Sequence, residues 1–558
     1  MRYALVLVAL LVSASAPPPT ASPVLTAMRQ ELQRSMTGLK SQPSPPYFLS
    51  YEITETHGAS VQGAFGTIVA DRDYRRRALA TDLRVGTARF DNTHEVPGGF
   101  PSDFMDRFQS SDEVPLGDDA TAIRRVLWSD TDRRYKSAIE HLTEGKRNAQ
   151  VSVAPEDSSP DFAIEPAVQH IDAPVDVRID KRLWEDKIRR YTAPFARFGD
   201  IYSGDAGLSA TGETRWYVNS DGSEIQTSTA TYRLTISAYT QAEDGMVLPR
   251  YESFQATTPD GLPDDSIVLR KVDRMIADLH ALRQAPVLEA YTAPAILSGR
   301  ASGVFFHEVF GHRIEGHRQK HEWEGQTFKS KVGEKILPDA FSVYFDPTLH
   351  QLGGVDLVGS YRYDDQGVEA RRVDVVKNGV FTSFLMSRSP IAGFAHSNGH
   401  GRAQSGLTPV ARQSNLVVAT AQPVSRDSLK AMLIDLVKQQ HKPYGLLFDD
   451  IEGGFTITQR TIPNAFNVIP IMVYRVYPDG RQELVRGADL IGTPLTVFSK
   501  IVAADGDTQV FNGLCGAESG WVPVSASSPD ILISQIEVQK KGKGTDQAPI
   551  LPAPPEAP

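Results

Sequence analysis

The stretch GVFFHEVFGHRIEGHRQ, residues 303–319, decides how the rest of this chain is read. Glu308 directly follows His307, and His312 stands five residues after that first histidine. Zinc peptidases commonly set two histidines four apart on a helix, about 40° around its axis. Both imidazoles then reach one ion while the intervening glutamate activates water. Five residues on a regular helix correspond to about 140°, too wide for a shared ion. A π-bulge over 307–312 would turn both rings to one side, and Gly311 would ease the distortion, so the spacing predicts a locally widened helix. The bland alternative is two unrelated helix-surface histidines beside a solvated glutamate.

Two histidines leave a catalytic zinc short of one protein ligand. Two candidates stand in the chain: Glu315, one turn after His312, and Cys515 in NGLCGAESG. Cys515 is the only cysteine among 558 residues, so it cannot form an internal disulfide. A thiolate binds zinc strongly, and Gly513 and Gly516 on either side let the backbone approach an ion closely. With Cys515 as third ligand, Glu315 is left to orient a histidine or to position water. A small buried thiol, or a redox-responsive thiol with no metal, are the competing readings of Cys515.

Working outward, 558 residues exceed what one hydrophobic core fills, so two or three domains are expected. The composition, 41% hydrophobic and 23% charged, is that of a soluble globular protein. The net charge of −10 and the lack of any long Lys/Arg block argue against nucleic acid as a partner. The opening MRYALVLVALLVSASAPPP has the pattern of a secretory signal, which predicts a signal peptide over 1–22 and a periplasmic or secreted protein. Its apolar run, Ala4 to Val12, is shorter than the roughly 20 residues that cross a bilayer, and no transmembrane domain is expected in the mature chain.

The pattern along the chain predicts an α+β fold: an N-terminal α+β domain followed by a mainly β C-terminal domain carrying a metal-binding helix. Residues 23–165 are assigned to the first domain with an insertion, 166–290 to a middle region, 291–540 to the C-terminal domain and 541–558 to a disordered tail. Helical spacing marks 23–40, 119–142, 181–194, 264–284 and 425–440, the last opened by Ser425 as N-cap. Hairpins are expected at Asp221-Gly222 and at Asn378-Gly379.

HEVFGHRIEG (307–316) resembles the HExxxHxxxE signature of the TldD/PmbA metallopeptidases. The resemblance continues, in that family's order, through DDQGVEARRVDVVKNGVFTSFLMSR (364–388), SNGHGRAQ (397–404), PVARQSNL (409–416), RGADLIGTP (486–494) and GLCGAESGWVPVSASSPDILISQIEV (513–538). It implies the metal-binding TldD type, with His307, His312 and Cys515 as ligands of Zn2+, Glu308 as catalytic base, and a homodimer or a heterodimer with a related family member around an internal cavity. Members of the family are usually cytoplasmic, and the export signal departs from that. The expected reaction is hydrolysis of small or unfolded peptides, with zinc activating water and Glu308 moving the proton. Arg412 and Asn415 are expected to clamp substrate or support the site, and His400 to donate toward an oxyanion. His317, His321 and His396 are read as surface or supporting histidines. The rival function is an exported scaffold or binding partner whose metal is structural, its fourth position filled by Glu315 or His317.

Overall fold

The computed structural model describes residues 22–94, 113–151, 156–320, 323–460 and 466–542, with residues 549, 551, 553 and 554 of the tail. The expected signal peptide, apart from its last residue, and most of the expected tail therefore lie outside the described residues, as does His321.

Ser22 accepts the backbone N–H of Leu25 and so caps the first helix, Pro23–Leu39. Two very long strands follow, Pro46–Ala64 and Thr67–Thr87. They turn over Phe65 and Gly66 with φ of 48° and 84°. The strand Pro46–Ala64 pairs on its other side with Ile201–Asn219, which pairs with Glu224–Gln241, which pairs with Val247–Ala256. One sheet thus runs across residue 165, joining strands from the expected first domain and the expected middle region. The second hairpin turns at Asp221-Gly222, where Gly222 has a φ of 103°.

Alternation fixes what each face of this sheet does. On Glu224–Gln241, Tyr232, Leu234, Ile236 and Ala238 point into a core closed by Val268, Val272 and Met275 of the helix Asp265–Gln284. Arg233, Thr235, Ser237 and Tyr239 point the other way and stay partly or largely exposed. Leu49, Tyr51 and Ile53 pack beneath Pro23–Leu39 and the long helix Ala120–Val151.

The C-terminal half is built on two large sheets with the motif helix between them. Tyr291–Leu297 pairs with Ile531–Lys540, then come Ala488–Gly492, Phe466–Val476 and Gly445–Thr456, and the last pairs back to Tyr291–Leu297. Those five strands close a small barrel. The other sheet has six strands, and its edge strand Gln509–Ala517 carries Cys515. Within it, Asn378 and Gly379 adopt φ of 49° and 79°, the backbone of a two-residue hairpin turn.

The motif helix Gly299–Val309 leaves the barrel strand Tyr291–Leu297 and wedges between barrel and sheet. Gly299 and Gly303 permit the contact, since a Cβ on either would stand 2.4 Å from Ser528 O or 2.6 Å from Ala526 O. The far side of the wedge is an aromatic cluster of Phe305, Phe306, Phe310, Phe328 and Phe498. Burial of each such ring is worth about 1.5–3 kcal/mol, so the helix is fixed in rotation as well as position.

Candidate metal centre

The helix does not widen between the two histidines; it stops. The last α-helical bond runs from Phe310 N to Phe306 O at 3.0 Å, and Phe310 then swings to φ −119°. A 3-10 turn, Gly311–Ile314, restarts with Arg313 N bonded to Phe310 O at 2.9 Å. This corrects the expectation of a π-bulge: a break followed by a tighter turn also changes the rotation between positions 307 and 312. Gly311 is required for a steric reason, because a Cβ there would lie 1.9 Å from Gln413 Oε1.

As a result the imidazoles of His307 and His312 face each other with ring centres 5.0 Å apart and planes at 81°. Cys515, more than two hundred residues away in the chain, brings Sγ to 3.3 Å from His312 Nε2. One donor atom from each of His307, His312 and Cys515 lies within 4.8 Å of the other two, and all three side chains are buried. His307 Nδ1 has no hydrogen-bond partner. Two imidazoles and a thiol gathered out of water, with a buried nitrogen unsatisfied, fit the donor chemistry of a zinc ion. Among the described residues this is the one His/Cys/Asp/Glu group close enough to share an ion, and neither Glu315 nor His317 belongs to it.

The electrostatics favour a thiolate. Burial pushes the Cys515 thiol up, but His312, His307 and Arg412 overcome that and hold it well below the usual thiol range. Burial works against charge on His312 too, and Cys515 and Glu315 reverse it. Glu308 differs: burial raises its pKa, with His307 and His312 only partly offsetting that.

Glu315 supports the centre from behind. Its carboxylate lies 3.3 Å from His312 Nδ1 and accepts Arg318 Nε at 2.8 Å. Arg318 also binds Glu324 at 2.8 Å and Glu518 at 2.7 Å, and Glu518 lies 2.5 Å from His317 Nε2. Sequence reasoning missed Arg318, Glu324 and Glu518. The three-residue spacing from Glu315 to Arg318 is a local signal that could have found the first of these, whereas Glu518 joins only through the tertiary fold.

Arg412 is completely buried and donates to Cys515 O at 2.7 Å, to Cys515 Sγ at 3.3 Å and to Ser519 Oγ at 2.8 Å. Asn415 donates to Asp346 O at 3.1 Å and Leu349 O at 2.9 Å. His400 lies 3.1 Å from both Ser414 Oγ and Asn398 Oδ1, and burial lowers its pKa to about 3. None of these three lines the cleft in front of the trio. The geometry therefore gives Arg412 the supporting role rather than the clamp, and makes Asn415 and His400 braces of the surrounding loops. His317, expected at the surface or in support of the site, is buried against Glu518; His396 is exposed beside Glu165.

The cleft itself is about 1020 Å3. One wall is C-terminal: His307, Glu308, His312, the segment 452–459, and the strand with Cys515. The other is the outward face of the N-terminal sheet, with Ser203, Arg233, Ser237, Tyr239 and Tyr251.

Residues 290–540 match the PmbA/TldA metallopeptidase C-terminal domain. Over that region the chain is similar to the PmbA/TldD family. A metalloprotease TldD homolog of Haemophilus influenzae is 29% identical over 270 residues, which cover 46% of this chain and 52% of that protein. A zinc metalloprotease TldD homolog of Saccharolobus solfataricus is 24% identical over 252 residues, 44% of this chain and 51% of that one. The chain thus spans about half the length of the curated relatives it matches. The solved structure of TldE from Thermococcus kodakarensis superposes with a TM-score of 0.57 at 14% identity, covering 92% of this chain and all of that one, and shares the fold. The expectation of a signal peptide and a periplasmic protein is corrected by these relatives: they are TldD homologues, and nothing in their match supports either feature. Among the described residues no helix is long and apolar enough to cross a membrane.

Proposed function

We propose that this chain is a zinc-dependent peptidase of the PmbA/TldD family that hydrolyses peptide bonds in small or unfolded peptides, with His307, His312 and Cys515 holding the ion and Glu308 as general base. One observation carries the reading: three donors of zinc-binding type converge on one point beside a buried carboxylate, at the wall of a cleft. Zinc bound there supplies a Lewis acid that polarises the scissile carbonyl and acidifies water.

The chain's own residues supply the rest. Glu308, whose pKa is raised by burial, accepts the proton from the attacking water and hands it to the leaving amine. Arg313 donates to Glu308 O at 2.8 Å and fixes the backbone that aims this carboxylate. A Cβ on Gly454 would fall 2.7 Å from Glu308 Cγ, so the barrel strand Gly445–Thr456 presses on the base and limits its rotamers. Glu315 orients His312, and Arg412 neutralises charge behind Cys515. Pairing of the chain with itself or with a related family member is part of the same proposal.

The test compares wild type with Glu308→Gln on an unfolded peptide library while zinc per chain is measured. A fall of about 100- to 10,000-fold in kcat with zinc retained is expected. Equal rates in the two proteins would end the assignment of Glu308.

A further inference from the structure

Three arginines line the cleft: Arg233, Arg250 and Arg318. Two are neutralised within the protein. Arg250 is bound by Asp278 at 3.2 Å and Asp450 at 2.8 Å, and Arg318 by Glu315, Glu324 and Glu518. Arg233 alone of these has no carboxylate within salt-bridge distance among the described residues. Its partners are neutral, namely Ser253 Oγ at 3.3 Å from Nε and Tyr251 OH at 2.9 Å from the far guanidinium nitrogen.

A guanidinium carries five N–H donors, so these two bonds leave about three uncommitted. Strand alternation sends that side chain away from the core of Tyr232 and Leu234 and into the cleft, on the wall facing the metal-binding trio. A partly buried cation with its fork held in place and no internal counter-ion is a preorganised site for a planar anion.

We propose that Arg233 binds a carboxylate of the peptide substrate, so that the sheet wall anchors an anionic group while the opposite wall presents the scissile bond to the trio. This rests on reading the cleft as a peptide site. The carboxylate has two possible sources, the C-terminus of the peptide or an Asp or Glu side chain within it. If the C-terminus is the anchor, cleavage falls at a fixed distance from the end of the peptide.

Direct binding tests this separately from catalysis. In a Glu308→Gln background of the zinc-loaded full chain, fluorescence anisotropy would follow four N-terminally labelled unfolded octapeptides. One is free of Asp and Glu with a free C-terminus, one is its C-terminal amide, and two are amides carrying a single internal Asp or Asn. Arg233→Ala should weaken the free acid about tenfold or more relative to the amide if the C-terminus is bound, the worth of a charge-assisted hydrogen bond. It should instead weaken the Asp amide relative to the Asn amide if a side chain is bound. Arg233→Gln, whose amide keeps a polar group near the position of Nε beside Ser253 but carries no charge, should reproduce the loss without disturbing the sheet. Equal affinities across all four peptides in both backgrounds, or no binding of any of them, would overturn the proposal. Binding that follows this pattern in a chain without peptidase activity would leave the anion site standing and the hydrolase reading refuted.

Discussion

On the C-terminal wall of the cleft Arg318 is held by three carboxylates, and behind that wall Arg412 is held by Cys515 and Glu315, whereas on the sheet wall Arg233 has only the hydroxyls of Ser253 and Tyr251. The first arrangement spends every charge inside the protein. Such a network fixes atoms: its members, buried apart from the half-buried Glu518, tie a loop, a helix end or a strand to the trio, so it suits reacting groups that need to be held still. The second leaves a charge facing the cavity, where only an incoming molecule can use it. The difference suggests a division of labour, with chemistry on the wall that matches the family domain and recognition on the wall outside that match.

That division breaks most visibly at Cys515. Cys515→Ala removes one of three donors, and the zinc affinity should fall by more than the roughly 10- to 100-fold that loss of a supporting residue costs, taking peptidase activity with it. Zinc per chain after dialysis gives the answer. Full retention of zinc by the variant would mean that the thiol is a buried neighbour and not a ligand, and the wall would then hold no three-donor centre.

Much of that wall was legible in the sequence, and the reason is chemical. His307, Glu308, His312 and Cys515 are residue types with few uses, and their order is shared with a known family. Turn and cap signals were equally local: Ser425 does accept the N–H of Ser428, and Asn378-Gly379 does turn a hairpin. What stayed hidden depends on distant pairing. The barrel closes only when Gly445–Thr456 meets both Tyr291–Leu297 and Phe466–Val476, and no short window encodes that closure. The π-bulge was the wrong distortion because the contact that forbids a side chain at 311 comes from Gln413. Arg412 and His400 looked available for substrate because a sequence does not show that both are buried, Arg412 against Cys515 and His400 between Asn398 and Ser414. Arg233 drew no notice, since an arginine at an outward position of an alternating strand usually means solvent.

A smaller effect is expected at Glu315. Glu315→Gln keeps the size of the side chain but loses the charge that Arg318 and His312 share, at 2.8 Å and 3.3 Å. Zinc affinity should drop about 10- to 100-fold in competition with a chelator, with kcat of the fully loaded enzyme changing less. Unchanged affinity would show that Glu315 serves only to pair with Arg318, and the C-terminal wall would then be stiff without tuning its centre.

The mildest change probes the other wall. Tyr251 sits on Val247–Ala256, opposite Ser237 in the register, and its hydroxyl accepts from Arg233 at 2.9 Å. Tyr251→Phe leaves the ring and removes that one acceptor, so the guanidinium keeps its charge and its bond to Ser253 but loses one of two restraints on its direction. Because the tyrosine acts only through the direction of the fork, the effect should be no larger than the net worth of an ordinary hydrogen bond, about 0.5–1.5 kcal/mol, which corresponds to roughly 2- to 10-fold in affinity. If Tyr251 acts by aiming Arg233, KM for the carboxylate-bearing peptide should rise by that factor, kcat should hold, and the uncharged counterpart should be unaffected. In an Arg233→Ala background the Tyr251 change should then cost nothing further, because there is no fork left to aim. A Tyr251→Phe effect that is the same for charged and uncharged peptides, or that persists without Arg233, would show the tyrosine touching the chain of the peptide itself, and the sheet wall would be a general surface in place of an anion site.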